Sequence, residues 1–306
     1  MCLATEDRCL SAWETVHKNG GIARGQFVEI ATPQWRFTEL AETQKQQIRE
    51  RRATIAVPST PDVTLDLFSD TADVVSCADD FASAAGPDVI LDISCFPKRF
   101  FFPFVHRLLT SAVRNLVVTY AVPEAYYEGT LAEDHKPLAH LPLFGIQEFP
   151  EPRAEVVIIS VGFVPLGVNE IIQPGGQRPE IKLLFPFPPG PPHFQRNWRF
   201  LLDLERNVPG VSESPIRVEA YNVPDTFDRI SEITGAGGRR TALAPYGPKP
   251  ISLAMCLYAR HTNTPVFYTQ PMFYHPKYSM GIARRNGEPV IFAYLVRLNG
   301  KDLYTL

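Results

Sequence analysis

Two stretches of this chain present the same succession of residue types, and they constrain the fold more than any other feature. The first begins at Asp92 and reads D-I-S-C-F-P-K-R-F-F-F-P-F-V-H-R-L-L to Leu109, then N-L-V-V-T-Y-A-V-P-E-A-Y-Y-E-G from Asn115 to Gly129. The second reads A-P-Y-G-P-K-P-I-S-L-A-M-C-L-Y-A-R from Ala244 to Arg260 and continues P-V-F-Y-T-Q-P-M-F-Y-H-P-K-Y-S-M-G from Pro265 to Gly281. Each runs as an apolar strand, a short polar turn with Pro-Lys, an apolar helical run and a second apolar strand ending in a Tyr/Thr step. Lys98 and Lys249 lie 151 residues apart in a chain of 306. Repetition on that scale implies a duplicated domain and not a solenoid, whose repeats are about 20–50 residues. The likeness extends upstream, where Ala72–Asp92 (helix, Gly-Pro, strand) matches Pro224–Ala244 (helix, Gly-rich turn, strand).

Alternation of strands and helices implies parallel strands with right-handed crossovers. The expected fold is therefore α/β, two related Rossmann-like parallel-sheet units from an internal duplication, spanning 1–175 and 176–306. In the first unit the patterns predict helices at Leu10–His17, Glu39–Arg52, Ala72–Ala85 and Phe100–Leu109. Strands are predicted at Gln26–Ala31, Thr54–Val57, Thr64–Phe68, Val89–Ile93, Leu116–Ala121 and Val156–Phe163. The Val89–Ile93 and Val156–Phe163 runs read as central strands buried on both faces. Residues 122–153 read as a long loop rich in Pro and acidic groups, Leu166–Ile172 as a helix, and Pro174–Pro179 as the linker. The second unit is predicted to hold strands at Ile181–Phe185, Arg217–Tyr221, Thr241–Ala244, Val266–Thr269 and Val290–Leu298. Helices are expected at Gln195–Asn207, Pro224–Thr234 and Ile251–Arg260. The run P-F-P-P-G-P-P from Pro186 to Pro192 fits neither a helix nor a central strand.

Composition removes several functions. Hydrophobic content of 45% and charged content of 21% are those of a globular chain. A net charge of −3 gives no long-range attraction to phosphate backbones, so general nucleic-acid binding is not expected. The five cysteines are scattered, with no C-x-x-C pair and no zinc spacing, which suits reduced thiols in the cytoplasm and no metal site. No apolar run approaches a membrane span and the N-terminus carries Glu6 and Asp7 early, so neither a membrane segment nor a signal peptide is expected. Phosphate-loop, dinucleotide and nucleophile-elbow motifs are absent, and nothing calls for a cofactor. Gly235–Gly238 follows a helix and precedes a strand, the reverse of what a pyrophosphate loop needs. His135 and His140 make a poor metal pair.

In open α/β sheets ligands bind beyond the carboxyl ends of the strands, where the next helix begins. Both Pro-Lys turns occupy that place, and helix starts offer unpaired N–H groups and partial positive charge. The first turn supplies Asp92, Ser94, Lys98 and Arg99, with Tyr120 at the end of the following strand. The second supplies Tyr246, Gly247 and Lys249, followed by Tyr268 and Gln270. Tyr126, Tyr127, Tyr274 and Tyr278 are candidates for stacking on a ring. The set describes a pocket for a phosphate plus a ring. The competing reading is that these groups cap helices, satisfy loop backbone and pack.

A strand ending in a polar turn with a downstream Lys that opens an apolar helix, present in two Rossmann-like halves, resembles the CARF/SAVED nucleotide-sensing domains of prokaryotic immunity. SAVED domains are similar to two fused CARF units. By that resemblance Asp92, Ser94 and Lys98, with Gly247 and Lys249, are expected to line a cyclic-oligonucleotide pocket. The expected function is a cytosolic binding protein for a nucleotide-like phosphate ligand held at the two Pro-Lys turns, a sensor or adaptor for a partner that carries an effector activity. Two alternatives stay open: an enzyme acting on a nucleotide or phosphoester, with Asp92 as acid/base and Lys98 and Lys249 as charge stabilisers, and a protein-interaction scaffold without a small-molecule site.

Overall fold

Proline before lysine sets the start of both apolar helices. Pro97 (φ −62°, ψ 150°) and Pro248 (φ −55°, ψ 152°) hold the extended geometry that precedes a first helical turn, and neither helix has a side-chain cap. In each case the proline carbonyl accepts the first helical bond: Phe101 N–H donates to Pro97 and Ser252 N–H to Pro248, both at 3.0 Å. The computed structural model describes residues 1–20, 22–31, 38–55, 63–135, 137–145, 154–165, 167–172, 179–188, 194–207 and 215–306. These residues divide into two units, one of Met1–Asp134 with Met272–Lys301, the other of His135–Pro271 with Asp302–Leu306.

The first unit runs β1 (Cys2–Leu3), α1 (Ser11–Gly20), β2 (Val28–Ala31), α2 (Thr38–Ala53), β3 (Val63–Asp66), α3 (Thr71–Ala84), β4 (Asp88–Asp92), α4 (Lys98–Thr110) and β5 (Asn115–Ala121). Strands β1, β2 and β3 form a parallel sheet in that order. β4 pairs parallel with β5, and the late strand Ile291–Leu298 joins β5 antiparallel. Helix α4 buries Phe100, Phe101, Phe102, Phe104, Val105, Leu108 and Leu109, as an apolar helix must.

Several expectations need correction. Among the described residues β4 lies at the end of its sheet, and Ile90 is 47% exposed, so only Leu91 and Asp92 of that strand are interior. Thr54 and Ile55 continue the α2 ending, their N–H groups donating to Arg51 and Arg52; the remainder of the strand predicted at Thr54–Val57 lies outside the described residues. The region predicted as one loop, 122–153, carries short strands at Ala125–Tyr126, Ala132–His135 and Ala139–His140. Ala125–Tyr126 pairs with Ser279–Met280, and Ala139–His140 with Phe267–Tyr268.

The second unit runs β6 (Val156–Ser160), α5 (Val168–Ile172), β7 (Glu180–Phe187), α6 (Phe194–Asn207), β8 (Ile216–Glu219), α7 (Val223–Thr234), β9 (Thr241–Pro245), α8 (Lys249–Thr262) and β10 (Phe267–Tyr268). Its sheet is wholly parallel in the order β8-β7-β6-β9, and Val266, at the entry to β10, bridges parallel to Leu243 of β9. The chain thus steps outward from β6 through β7 to β8, then returns to the other side of β6 for β9 and β10. That is the 3-2-1-4-5 succession of a doubly wound sheet. The boundary expected at 175 falls inside this unit, because β6 pairs with strands that begin at Glu180 and Thr241. Most of the predicted linker, 174–178, lies outside the described residues.

β6 is buried along its whole length, and Val157, Ile159 and Val161 join Ile181, Leu183, Phe185, Phe200, Leu204 and Tyr246 in one core. Strand β7 runs on through Pro186, past the limit expected at Phe185. Its pairing with β6 ends at Leu184, while Pro186 and Phe187 pair only with β8, so the missing proline N–H falls beyond the inner neighbour. The sequence order helix, strand, Pro-Lys turn, helix, strand is present in both units, as α3-β4-α4-β5 and as α7-β9-α8-β10.

Candidate ligand-binding site

In the first unit the end of β4 carries a buried polar network. Asp92 Oδ1 accepts from Ser94 Oγ at 2.7 Å and from Thr119 Oγ1 at 3.0 Å, and Ser94 Oγ accepts from Ala121 N–H at 2.7 Å. Asp92 is 4% exposed and Ser94 0%, so both serve the join between β4 and β5. Lys98 follows at the head of α4, itself buried at 8% exposure. Arg99 turns away toward α3: its Nη2 donates to Ser69 O at 2.6 Å, and burial lowers its guanidinium pKa.

Tyr120 lies under a cation. Arg8, 2% exposed, sits 5.2 Å from the centre of its ring and donates to Ala121 O at 2.9 Å and to Ser279 Oγ at 3.1 Å. The Arg8 Nη2 also donates to Glu6 Oε2 at 2.9 Å. Burial works against that charge, but Glu6 and then Tyr120 outweigh it and hold the guanidinium well above its ordinary value. Ser279 Oγ also donates to Glu6 Oε2. Tyr278 packs edge-on against Tyr126 and Tyr274, and burial pushes its hydroxyl pKa up. Tyr127 stacks on His275 with ring centres 4.0 Å apart. Tyr126, Tyr274 and Tyr278 pack on one another, Tyr120 on Arg8 and Tyr127 on His275, which is the packing alternative the sequence left open.

In the second unit the ends of β6 and β9 meet at the point where the strand order reverses. Gly162 is glycine because a Cβ there would stand 2.1 Å from Tyr246 O. Gly247 N–H donates to Ser160 Oγ at 2.8 Å, and a Cβ on Gly247 would stand 2.9 Å from the Ser160 Cβ. Two backbones approach this closely only without side chains between them. Tyr246 is buried at 9% exposure; its hydroxyl donates to Thr269 Oγ1 at 3.1 Å, its ring lies 5.6 Å from that of Tyr268, and burial raises its pKa. Gln270, 6% exposed, donates from Nε2 to Pro271 O at 2.9 Å. Lys249 is half-buried as the first residue of α8.

At the first turn Asp92 bonds Ser94 and Lys98 opens α4, while Arg99 is turned to Ser69 and Tyr120 to Arg8; at the second Tyr246 lies beside Tyr268, Gly247 bonds Ser160 and Lys249 opens α8, while Gln270 bonds Pro271 O. Sequence reasoning missed Arg8 and Glu6 in the first unit and Ser160, Gly162 and Asn197 in the second. Ser160-x-Gly162 directly after an apolar strand was a usable signal; a mid-sequence Asn on an amphipathic helix was not. Among the described residues no group of three or more His, Cys, Asp or Glu is placed to hold a metal ion, and the five cysteines are all buried and none is in a disulfide. Among the described residues no helix is long and apolar enough to cross a membrane. No protein-family model matches the chain, and no curated protein matches it.

Proposed function

We propose that the chain is a binding protein for a small, phosphate-bearing, nucleotide-like ligand, held at the carboxyl edge of a doubly wound sheet by a Pro-Lys turn. The observation that carries this reading is the position of Lys249. It opens α8, a helix without a side-chain cap, beside the β6/β9 reversal in strand order. A helix start supplies N–H donors and partial positive charge, and lysine adds a full charge. Lys98 holds the equivalent station on α4, in line with the proposed duplication, but at 8% exposure it is the more enclosed of the two.

Binding is favoured over catalysis. Asp92, the residue an acid/base role requires, spends one carboxylate oxygen on two hydroxyl donors of its own β4/β5 join. The resemblance to CARF/SAVED domains extends the proposal to a sensor or adaptor in prokaryotic defence, acting through a partner that carries the effector. A thermal-shift screen of mono- to tetranucleotides, linear and cyclic, tests it. A ligand should raise the melting temperature of the wild type, lose that effect in Lys249→Gln, and be recovered chemically unchanged. A chain indifferent to every member ends the nucleotide reading, and turnover abolished by Asp92→Asn replaces it with an enzyme.

A further inference from the structure

We infer that the site in the second unit reaches from the head of α8 to the first turn of α6, where the Asn197 amide oxygen receives a hydroxyl or amino donor of the ligand. The inference rests on the phosphate reading of Lys249. Asn197 is 1% exposed, and its Nδ2 donates to Gly162 O at 2.9 Å. Its Oδ1 is buried and has no partner among the described residues. Exchanging the two ends of the amide cannot repair this, since the Gly162 carbonyl only accepts. The leftover group must be the acceptor.

A buried acceptor without a donor is unfavourable, and native proteins keep such groups rarely. Here the orphan lies where a doubly wound sheet binds ligands. Gly162 is the second residue past β6, and it touches Tyr246 O; Gly247 bonds Ser160; Lys249 begins α8 two residues later. Asn197 is thus joined to the α8 start by a chain of direct contacts. Arg196, its neighbour, holds its guanidinium 5.9 Å from the Phe163 ring, over the same loop after β6. A cationic helix start and an unmet acceptor at one strand edge together fit an anionic group with a hydrogen-bond donor attached. A ribonucleotide offers that combination through its sugar hydroxyls or a base amine, whereas pyrophosphate offers the charge alone.

The test measures binding of AMP and the dinucleotide pApA to the wild type, Asn197→Leu and Lys249→Gln by titration calorimetry, with pyrophosphate as the charge-only probe. Asn197→Leu should weaken the nucleotide about tenfold, the loss of one good hydrogen bond, and leave pyrophosphate within about twofold. A second arm needs no variant: on the wild type, 2′-deoxy, 3′-deoxy or inosine analogues should reproduce the tenfold loss, the weakest naming the donor. Nucleotide binding that is lost in Lys249→Gln but equal in Asn197→Leu and wild type overturns this inference alone. So does a wild type that holds all three analogues as tightly as the parent. A wild type that binds none of the probes overturns the phosphate reading beneath it.

Discussion

Replacing Gly162 by alanine tests the construction of the β6/β9 edge without reference to any ligand. The added Cβ would stand 2.1 Å from Tyr246 O and 2.8 Å from Tyr246 C, against the 3.4 Å or more of ordinary contact. Both opposing atoms are backbone, so no rotamer change relieves the overlap, and the loops after β6 and β9 must part by about 1 Å, an overpacking cost of about 1–3 kcal/mol. That separation also stretches the Gly247–Ser160 bond, worth about 1 kcal/mol more. The expected loss is about 2–4 kcal/mol, which for a unit of this size lowers the melting temperature by about 5–15 °C. Gly86→Ala is the control, because a Cβ there meets nothing within 4 Å. Thermal melts and urea midpoints of both variants decide the matter. A Gly162→Ala protein as stable as Gly86→Ala would mean that the two loops do not touch as described.

Three further expectations follow from the polar interior. Asp92→Ala strands the Ser94 and Thr119 hydroxyls inside the β4/β5 join and should cost about 2–4 kcal/mol by urea denaturation; a loss below about 0.5 kcal/mol would show the network to be dispensable. Arg8→Met takes the guanidinium from the half-buried Glu6 carboxylate, which keeps the Ser279 hydroxyl, and should cost about 1–3 kcal/mol, with much of this regained in Arg8→Met/Glu6→Gln; an uncorrected double variant counts against the pairing. Burial lowers the His140 pKa, so the folded state disfavours the charged ring. Stability is then full above the unfolded value of about 6.5 and falls as pH drops through the folded value. His140→Phe should flatten that acid-side decline in melts between pH 7 and pH 5, and an unchanged slope would remove His140 as its cause.

The elements around the Pro-Lys turns were legible because their signals are local. Proline fixes φ, an apolar run of five residues makes a strand, and a run of ten with apolar residues on every side makes a buried helix. Pairing is not local. Nothing in V-V-I-I-S announces that β6 neighbours strands starting 24 and 85 residues later, which the register Val156↔Glu180 and Val156↔Thr241 shows. The same limit hid the Arg8–Ser279 contact, 271 residues apart in sequence. Thr54–Val57 misled through its β-branched composition, since helix α2 spends Thr54 and Ile55 on its own ending. Val89–Ile93 misled because an apolar run does not say how many neighbours a strand has. Asp92 and Ser94 were placed correctly at the edge, yet sequence cannot separate a group that serves a ligand from one that satisfies its own backbone.

The most direct test of the account is a crystal structure of the chain with the nucleotide that gives the largest thermal shift. The phosphate should lie against the first N–H groups of α8 beside the Lys249 ammonium, with a donor of the same molecule at Asn197. A nucleotide bound well away from the β6/β9 edge, with α8 untouched, would contradict it.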